Sequence, residues 1–194
     1  MGVLVDPAIA PGSLARMRQP VLNLGDCVLR PWQATDADAV VEAYGDPAIQ
    51  FWHVRSMTTQ EARAWIEAWP SRWKEGTGSG WAIATTSAVL GQISFRRLDL
   101  FDGIGEVSYW VAPAARGRRL APRALCALSA WAFDEFNLHR IELIHSTMNP
   151  ASCRVAARGN YKLEGTKRGE ARHADGWHDM HLHARLVSDA RPNL

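Results

Sequence analysis

Apolar residues recur along the chain with two different periods, and the changes of period divide it into elements. From Thr58 to Trp73 the apolar positions Ala62, Trp65, Ile66, Trp69 and Trp73 are three and four apart, the spacing of one helix face. Pro70 falls inside this run and should kink or stop the helix. The tryptophan stripe reads as core. The period then shortens: Trp81 to Thr85 and Val89 to Phe95 predict two strands around a short polar turn, and Gly105 to Val111 a third, an antiparallel meander. From Leu120 the residues Ala124, Leu128, Trp131 and Ala132 return to helical spacing, with Pro122 tolerable in the first turn and Asn137 as the stop. Arg140 to His145 predicts a strand, Asn149-Pro150 opens another helix that Gly159-Asn160 ends, and Trp177 to Val187 is a last strand after a polar turn. At the front, Cys27 to Arg30 is a strand stopped by Pro31. Thr35 to Asp38 then caps a helix carrying Ala39, Val40, Ala43 and Tyr44, which Gly45-Asp46-Pro47 ends. Residues 1–19 show no period and read as a flexible or loosely docked arm, leaving 20–190 as one domain. Strands and helices in this order predict an α/β layer arrangement around a mixed sheet.

Composition narrows the class. At 194 residues, 47% hydrophobic and 22% charged, the chain can bury a sizeable core and is neither disordered nor low-complexity. A net charge of +2 is too slight to predict polyanion binding, and no nucleic-acid partner is expected. The cations are uneven, however: Lys74, Lys162 and Lys167 are the lysines and the other nineteen are arginines, which suits planar phosphate recognition as well as it reflects codon usage. Cys27, Cys126 and Cys153 are far apart and odd in number, pointing to a reducing compartment. The longest apolar stretch, Ala124 to Phe133, is too short for a membrane helix, and Asp6 and Pro7 stand where a signal peptide would place cations and an apolar block. The expectation is a cytoplasmic protein with no membrane partner.

The strongest local signal is a strand, Glu106 to Val111, feeding a basic loop, Ala112 to Arg119, and then a helix from Leu120. A helix N-terminus offers unpaired N–H groups and a partial positive charge, so such a loop makes a phosphate cradle, with Arg116, Arg118, Arg119 and Arg123 around it. A solvated loop joining strand to helix is the plainer alternative. Neither GxxxxGK[ST] nor GxGxxG occurs.

Tyr109-Trp110-Val111-Ala112-Pro113-Ala114-Ala115-Arg116-Gly117-Arg118-Arg119-Leu120-Ala121 resembles the cofactor motif of the GNAT superfamily of N-acetyltransferases, in its RimJ/RimL-like branch. Leu29-Arg30-Pro31-Trp32 followed by Asp36, Leu90-Gly91, Glu106 to Trp110, Asn149-Pro150-Ala151-Ser152 and Tyr161 to Gly165 are similar to that branch in the same order, over residues 21–187. The resemblance implies a single GNAT-type domain, α/β (α+β), with a mixed, largely antiparallel sheet of about seven strands and helices on both faces. In it two adjacent strands splay apart to admit an acyl-coenzyme A. The cofactor's amide arm would pair with the freed backbone at Trp110 and Val111, as an added strand would. Its pyrophosphate would rest on the loop Arg116, Gly117, Arg118, Arg119, Leu120 and Ala121. Arg119 stands where the family motif has glycine, crowding the backbone approach that glycine permits.

The implied reaction transfers an acetyl group from acetyl-CoA to a primary amine, a protein N-terminus or a small molecule, by direct attack without a covalent enzyme intermediate. Glu106 is the expected general base, directly or through a water; a carboxylate facing solvent or pairing an arginine is the alternative. Asn149 and Ser152 make an ordinary helix start on spacing alone. The resemblance implies that Asn149 contacts the cofactor and Ser152 stands near its sulfur as proton donor. Arg154 and Arg158, four apart on one helix, reach for the 3′-phosphate or face solvent. Trp52, His53 and Trp81 are candidate acceptor walls, with a core role the alternative. Tyr161 reads as structural.

No metal is expected. In His178-Asp179-Met180-His181-Leu182-His183, strand alternation sets His178 opposite His181 and His183, leaving two histidines on one face beside Asp179. Cys153 reads as a small buried hydrophobe. Rival functions are a transferase using another acyl donor such as succinyl-CoA and a non-catalytic CoA-binding module. A homodimer is the expected assembly.

Overall fold

The computed structural model describes residues 4–192. Its strands are β1 (Leu22–Asn23), β2 (Val28–Pro31), β3 (Ser79–Ala84), β4 (Val89–Asp99), β5 (Ile104–Val111), β6 (Arg140–Ser146), β7 (Lys162–His173) and β8 (Gly176–Leu186). The helices are α1 (Ala37–Gly45), α2 (Pro47–His53), α3 (Thr59–Glu75), α4 (Leu120–Asp134) and α5 (Pro150–Arg158). One sheet of eight strands runs β1-β2-β3-β4-β5-β6-β8-β7, and every pairing is antiparallel except β5 with β6. The expected class holds, with eight strands rather than about seven.

Strand alternation decides what lies on each face. On β3, Trp81 and Ile83 join Ile93, Phe95, Val107 and the α4 residues Leu120, Ala124, Leu125 and Leu128 in the larger core. The smaller core fills the opposite side, where Val40 and Ala43 of α1, Ile49 of α2 and Ala62 and Ile66 of α3 meet Trp110. Close approach there requires Gly80: a Cβ at this position would lie 2.5 Å from the Trp69 ring. The tryptophan stripe is core, since Trp69 and Trp73 are buried.

Four expectations change. The helix α3 runs through Pro70 to Glu75, held at its start by a Thr58–Glu61 capping box and at its end by Gly76 in the left-handed region (φ 72°). Packing of Trp69 and Trp73 outweighs the lost backbone bond. Asp46-Pro47 ends α1 but also begins α2, because the Asp46 carboxylate accepts from the Ile49 N–H at 3.0 Å and Pro47 occupies the first turn. The polar stretch after α5 is a strand, β7, exposed along nearly its whole length and so without an apolar signal. Residues 8–19, expected within a flexible or loosely docked arm, are firmly docked: Ile9 and Leu14 are buried, Trp73 Nε1 donates to Met17 O and Trp81 Nε1 to Pro20 O. Residues 1–3 lie outside the described residues. No described helix is long and apolar enough to cross a membrane.

Candidate active site

The parallel pairing of β5 with β6 covers four residue pairs, Ile104–Arg140 to Val107–Leu143, and then stops. Beyond it Ser108 to Val111 pair only with β4 and Ile144 to Ser146 only with β8, leaving two facing edges with unpaired backbone groups. A cleft of about 970 Å³ opens there. It is lined by Tyr109, Trp110 and Val111 of β5, by His145 and Ser146 of β6, by the loop before α4, by Asn149, Ser152, Arg154 and Arg158 around α5, and by Trp52 and His53 of α2.

The loop before α4 has the geometry of an anion cradle. Gly117 (φ 82°) and Arg119 (φ 55°) both adopt left-handed backbone, and Arg119 is the N-cap of α4 without a side-chain cap. The left-handed region costs a non-glycine residue roughly 1–2 kcal/mol, which is why this position suits the glycine of the family motif. The turn is made all the same, and the first N–H groups of α4 lack intrahelical partners. The arginines divide into two sets. Arg116 is held by Asp46 at 2.6 Å, and Arg118 turns away to Asp26 at 2.8 Å, sharing it with Arg123. Arg116, Arg119, Arg154 and Arg158 line the cleft; Arg118 and Arg123 do not. Arg118, expected to bind the cofactor, is thus a link to the β1–β2 turn.

At the start of α5, the Asn149 side chain accepts from the Ser152 N–H at 3.2 Å, fixing the first turn. Tyr109, arriving from β5 across the cleft, donates its hydroxyl to Ser152 Oγ at 3.0 Å. Burial pushes the Tyr109 hydroxyl up to about 12, so it stays protonated and can only be the donor when Ser152 uses its own proton elsewhere. Tyr109 carries no signal of its own on a strand rich in aromatic residues; only the fold brings it to Ser152.

Glu106, expected on the cleft wall as general base, is set behind it. Its buried carboxylate accepts from Arg96 Nε at 2.7 Å, and Arg96 rather than Glu106 takes the lining position. The basic group that does line the cleft near β5 is His53, whose pKa burial lowers to about 4, with a smaller opposing contribution from the Tyr109 backbone. It is therefore neutral at pH 7. Glu170, at the rim on β7, is the carboxylate among the lining residues, and Lys167 Nζ donates to it at 2.7 Å. Trp81, expected as an acceptor wall, is wholly buried in the larger core. Tyr161 is structural, its hydroxyl 2.7 Å from Ser129 Oγ inside the core.

A sheet opened between parallel strands beside a glycine-containing helix entry defines an acyl-CoA transferase scaffold, and the comparisons agree. The family model described as Acetyltransferase (GNAT) domain matches residues 26–162; the chain belongs to this family of acetyltransferases. Among proteins of known name it is 27% identical over 114 residues to the ribosomal-protein-serine acetyltransferase of Escherichia coli K12, covering 59% of this chain and 64% of that protein. In fold it is similar to the ribosomal-protein-S5-alanine acetyltransferase of Vibrio fischeri, with TM-score 0.81, 18% identity and coverage of 90% and 100%. It is likewise similar to RimL, a ribosomal L7/L12 alpha-N-protein acetyltransferase solved with coenzyme A (TM-score 0.78, 18% identity, coverage 88% and 100%).

Proposed function

We propose that the domain of residues 20–190 moves an acetyl group from acetyl-CoA to a primary amine, of a protein N-terminus or a small molecule, by direct attack within a ternary complex. The observation that carries this reading is the end of the β5–β6 ladder at Val107–Leu143, which frees backbone N–H and C=O groups beside an anion cradle. The residues fit the group: Trp110 and Val111 pair with the amide arm, and the amides from Gly117 to Ala121, including Leu120, receive the pyrophosphate. Arg116 and Arg119 neutralise it, and Arg154 and Arg158 meet the 3′-phosphate. Bound acetyl-CoA supplies the activated acyl group.

The chain's own residues then supply position and proton traffic. A backbone N–H near Val111 stabilises negative charge on the carbonyl oxygen. Asn149 fixes Ser152, whose hydroxyl donates to the leaving sulfur while accepting from Tyr109. His53, neutral and on the acceptor side with Trp52, takes the proton released once the amine has bonded to the acyl carbon, when its N–H is far more acidic than in the free ammonium. A weak base suffices for that step. Glu106 positions Arg96. In this reading the protein is a cytoplasmic homodimer, with the exposed edge strand β7 and the 69% exposed Trp177 available for the contact.

Thiol release with acetyl-CoA and with succinyl-CoA, over amines that include peptides with N-terminal serine or alanine, tests the reading. Turnover with acetyl-CoA and intersecting initial-rate patterns are expected. Parallel, ping-pong patterns, preference for succinyl-CoA, or tight cofactor binding without turnover of any amine would overturn it.

A further inference from the structure

At the cleft floor, where His145 lines the opening, four side chains from three elements converge. The antiparallel register of β6 and β8 sets His145 opposite His181 and Leu143 opposite His183, so the two histidines that alternation puts on one face of β8 gain a third from the neighbouring strand. The α5 helix adds Cys153, its Sγ 3.4 Å from His181 Nδ1. One ligand atom from each of His145, Cys153, His181 and His183 lies within 4.8 Å of every other. The rings pack closely, His145 on His183 at 5.1 Å and edge-on to His181 at 5.5 Å.

The hydrogen bonds of the two buried histidines assign their lone pairs. His145 Nδ1 faces Ser146 O at 2.8 Å, and His183 Nδ1 faces Tyr161 O at 3.4 Å. A carbonyl only accepts, so each Nδ1 carries the proton and each Nε2 presents a bare lone pair. Neither Nε2 has a partner among the described residues, although each residue is only 6% exposed. A buried acceptor left unpaired is costly, and two in one cluster leave a place for a shared electrophile. Backbone carbonyls holding Nδ1–H while Nε2 stays free is also the arrangement that orients histidines toward a metal.

We propose that His145, Cys153, His181 and His183 form a structural binding site for a divalent zinc ion. Three imidazoles and one thiolate are a borderline-soft donor set that suits Zn²⁺, and four protein ligands close its tetrahedron. Zinc–ligand bonds of about 2.0–2.3 Å imply ligand–ligand edges of about 3.3–3.6 Å for three nitrogens and one sulfur, so the cluster contracts on binding. On binding, the Cys153 thiol gives its proton to solvent as the Zn–S bond forms. The site ties α5, which carries Asn149 and Ser152, to the β6–β8 ladder. It leaves no open position for chemistry.

Co²⁺ is the spectroscopic probe for the tag-free, chelator-treated full chain. One equivalent per chain should give the intense visible bands of a four-coordinate ion and a thiolate charge-transfer band, both removed by Zn²⁺. Cys153→Ser should lose the charge-transfer band, and His183→Ala should bind at least tenfold more weakly. His178→Ala, which alters a buried histidine outside the cluster, should bind as the parent does. Should the cluster variants fail to fold, alkylation of Cys153 in the parent chain decides: Zn²⁺ should slow it. The proposal is overturned if the parent gives no saturable four-coordinate spectrum, if His183→Ala and His178→Ala bind alike, or if zinc leaves the alkylation rate of Cys153 unchanged.

Discussion

Replacing Tyr109 by Phe removes one hydroxyl from the cleft and leaves the ring in place. In the parent that hydroxyl donates to Ser152 Oγ at 3.0 Å, from a buried position that keeps it protonated. Ser152 is then polarised toward donating a hydrogen bond to the departing thiolate, keeping its proton. A neutral hydrogen bond contributes about 1 kcal/mol net, so Tyr109→Phe should lower kcat roughly fivefold. Ser152→Ala removes a bond to a developing thiolate, about 1.5–3 kcal/mol or roughly ten- to 150-fold. The two losses must not add, because Tyr109 acts through Ser152. In a Ser152→Ala background, Tyr109→Phe should change kcat less than about twofold. The assay is thiol release at saturating acetyl-CoA, with the acetyl-CoA Kd measured separately to show that binding is intact. A Tyr109→Phe loss of the same size in both backgrounds would refute the relay.

Other substitutions examine the rest of the site. Burial holds His53 at about 4 against 6.5 for the free side chain, so between these pH values the unfolded chain binds a proton that the folded one does not. Its contribution to stability is complete above pH 6.5 and lost as pH falls toward 4, by up to about 3 kcal/mol. The urea midpoint of His53→Gln should therefore drop less between pH 7.5 and 5 than that of the parent, and equal drops would refute the assignment. Asp46→Asn keeps the cap on α2 but frees Arg116 for phosphate, and should tighten acetyl-CoA roughly two- to fivefold, the scale of an exposed ion pair; calorimetry showing weaker binding would count against it. Arg119→Gly relieves left-handed strain and should raise stability by up to about 1 kcal/mol after the added chain entropy of glycine, so a fall in Tm would contradict the strain argument. Glu106→Gln should lower kcat through Arg96 without moving the pH–rate profile. A displaced acidic limb would return Glu106 to the base role.

Much of the fold was legible because burial writes itself into apolar periodicity. The β3–β5 meander and α4 follow directly from residues such as Trp81, Ile83, Ala124 and Leu128 that face the core, and α5 from the Asn149-Pro150 start and Gly159-Asn160 end. Elements that bury little were silent. Strand β7 exists because β8 pairs with it, and its exposed side chains leave no alternation to read. The Asp46-Pro47 pair carries a stop and a start in the same two residues, so the stop masks the start of α2. At the site, positions defined by backbone were legible: the loop before α4 and the start of α5 line the cleft where the motif placed them. Pairings made by long side chains were not. Arg118 with Asp26, Glu106 with Arg96 and Tyr109 with Ser152 join residues 92, 10 and 43 positions apart, and no local spacing encodes them.

The short β5–β6 ladder has a mechanical consequence. Strands β1 to β5 form one leaf and β6, β8 and β7 another, and within the sheet only the pairs from Ile104–Arg140 to Val107–Leu143 stitch them. That seam is short and parallel, so a molecule lodged in the opening braces both leaves at once. Amide exchange should slow on each side of the seam when it is filled, including at backbone groups that never touch the occupant.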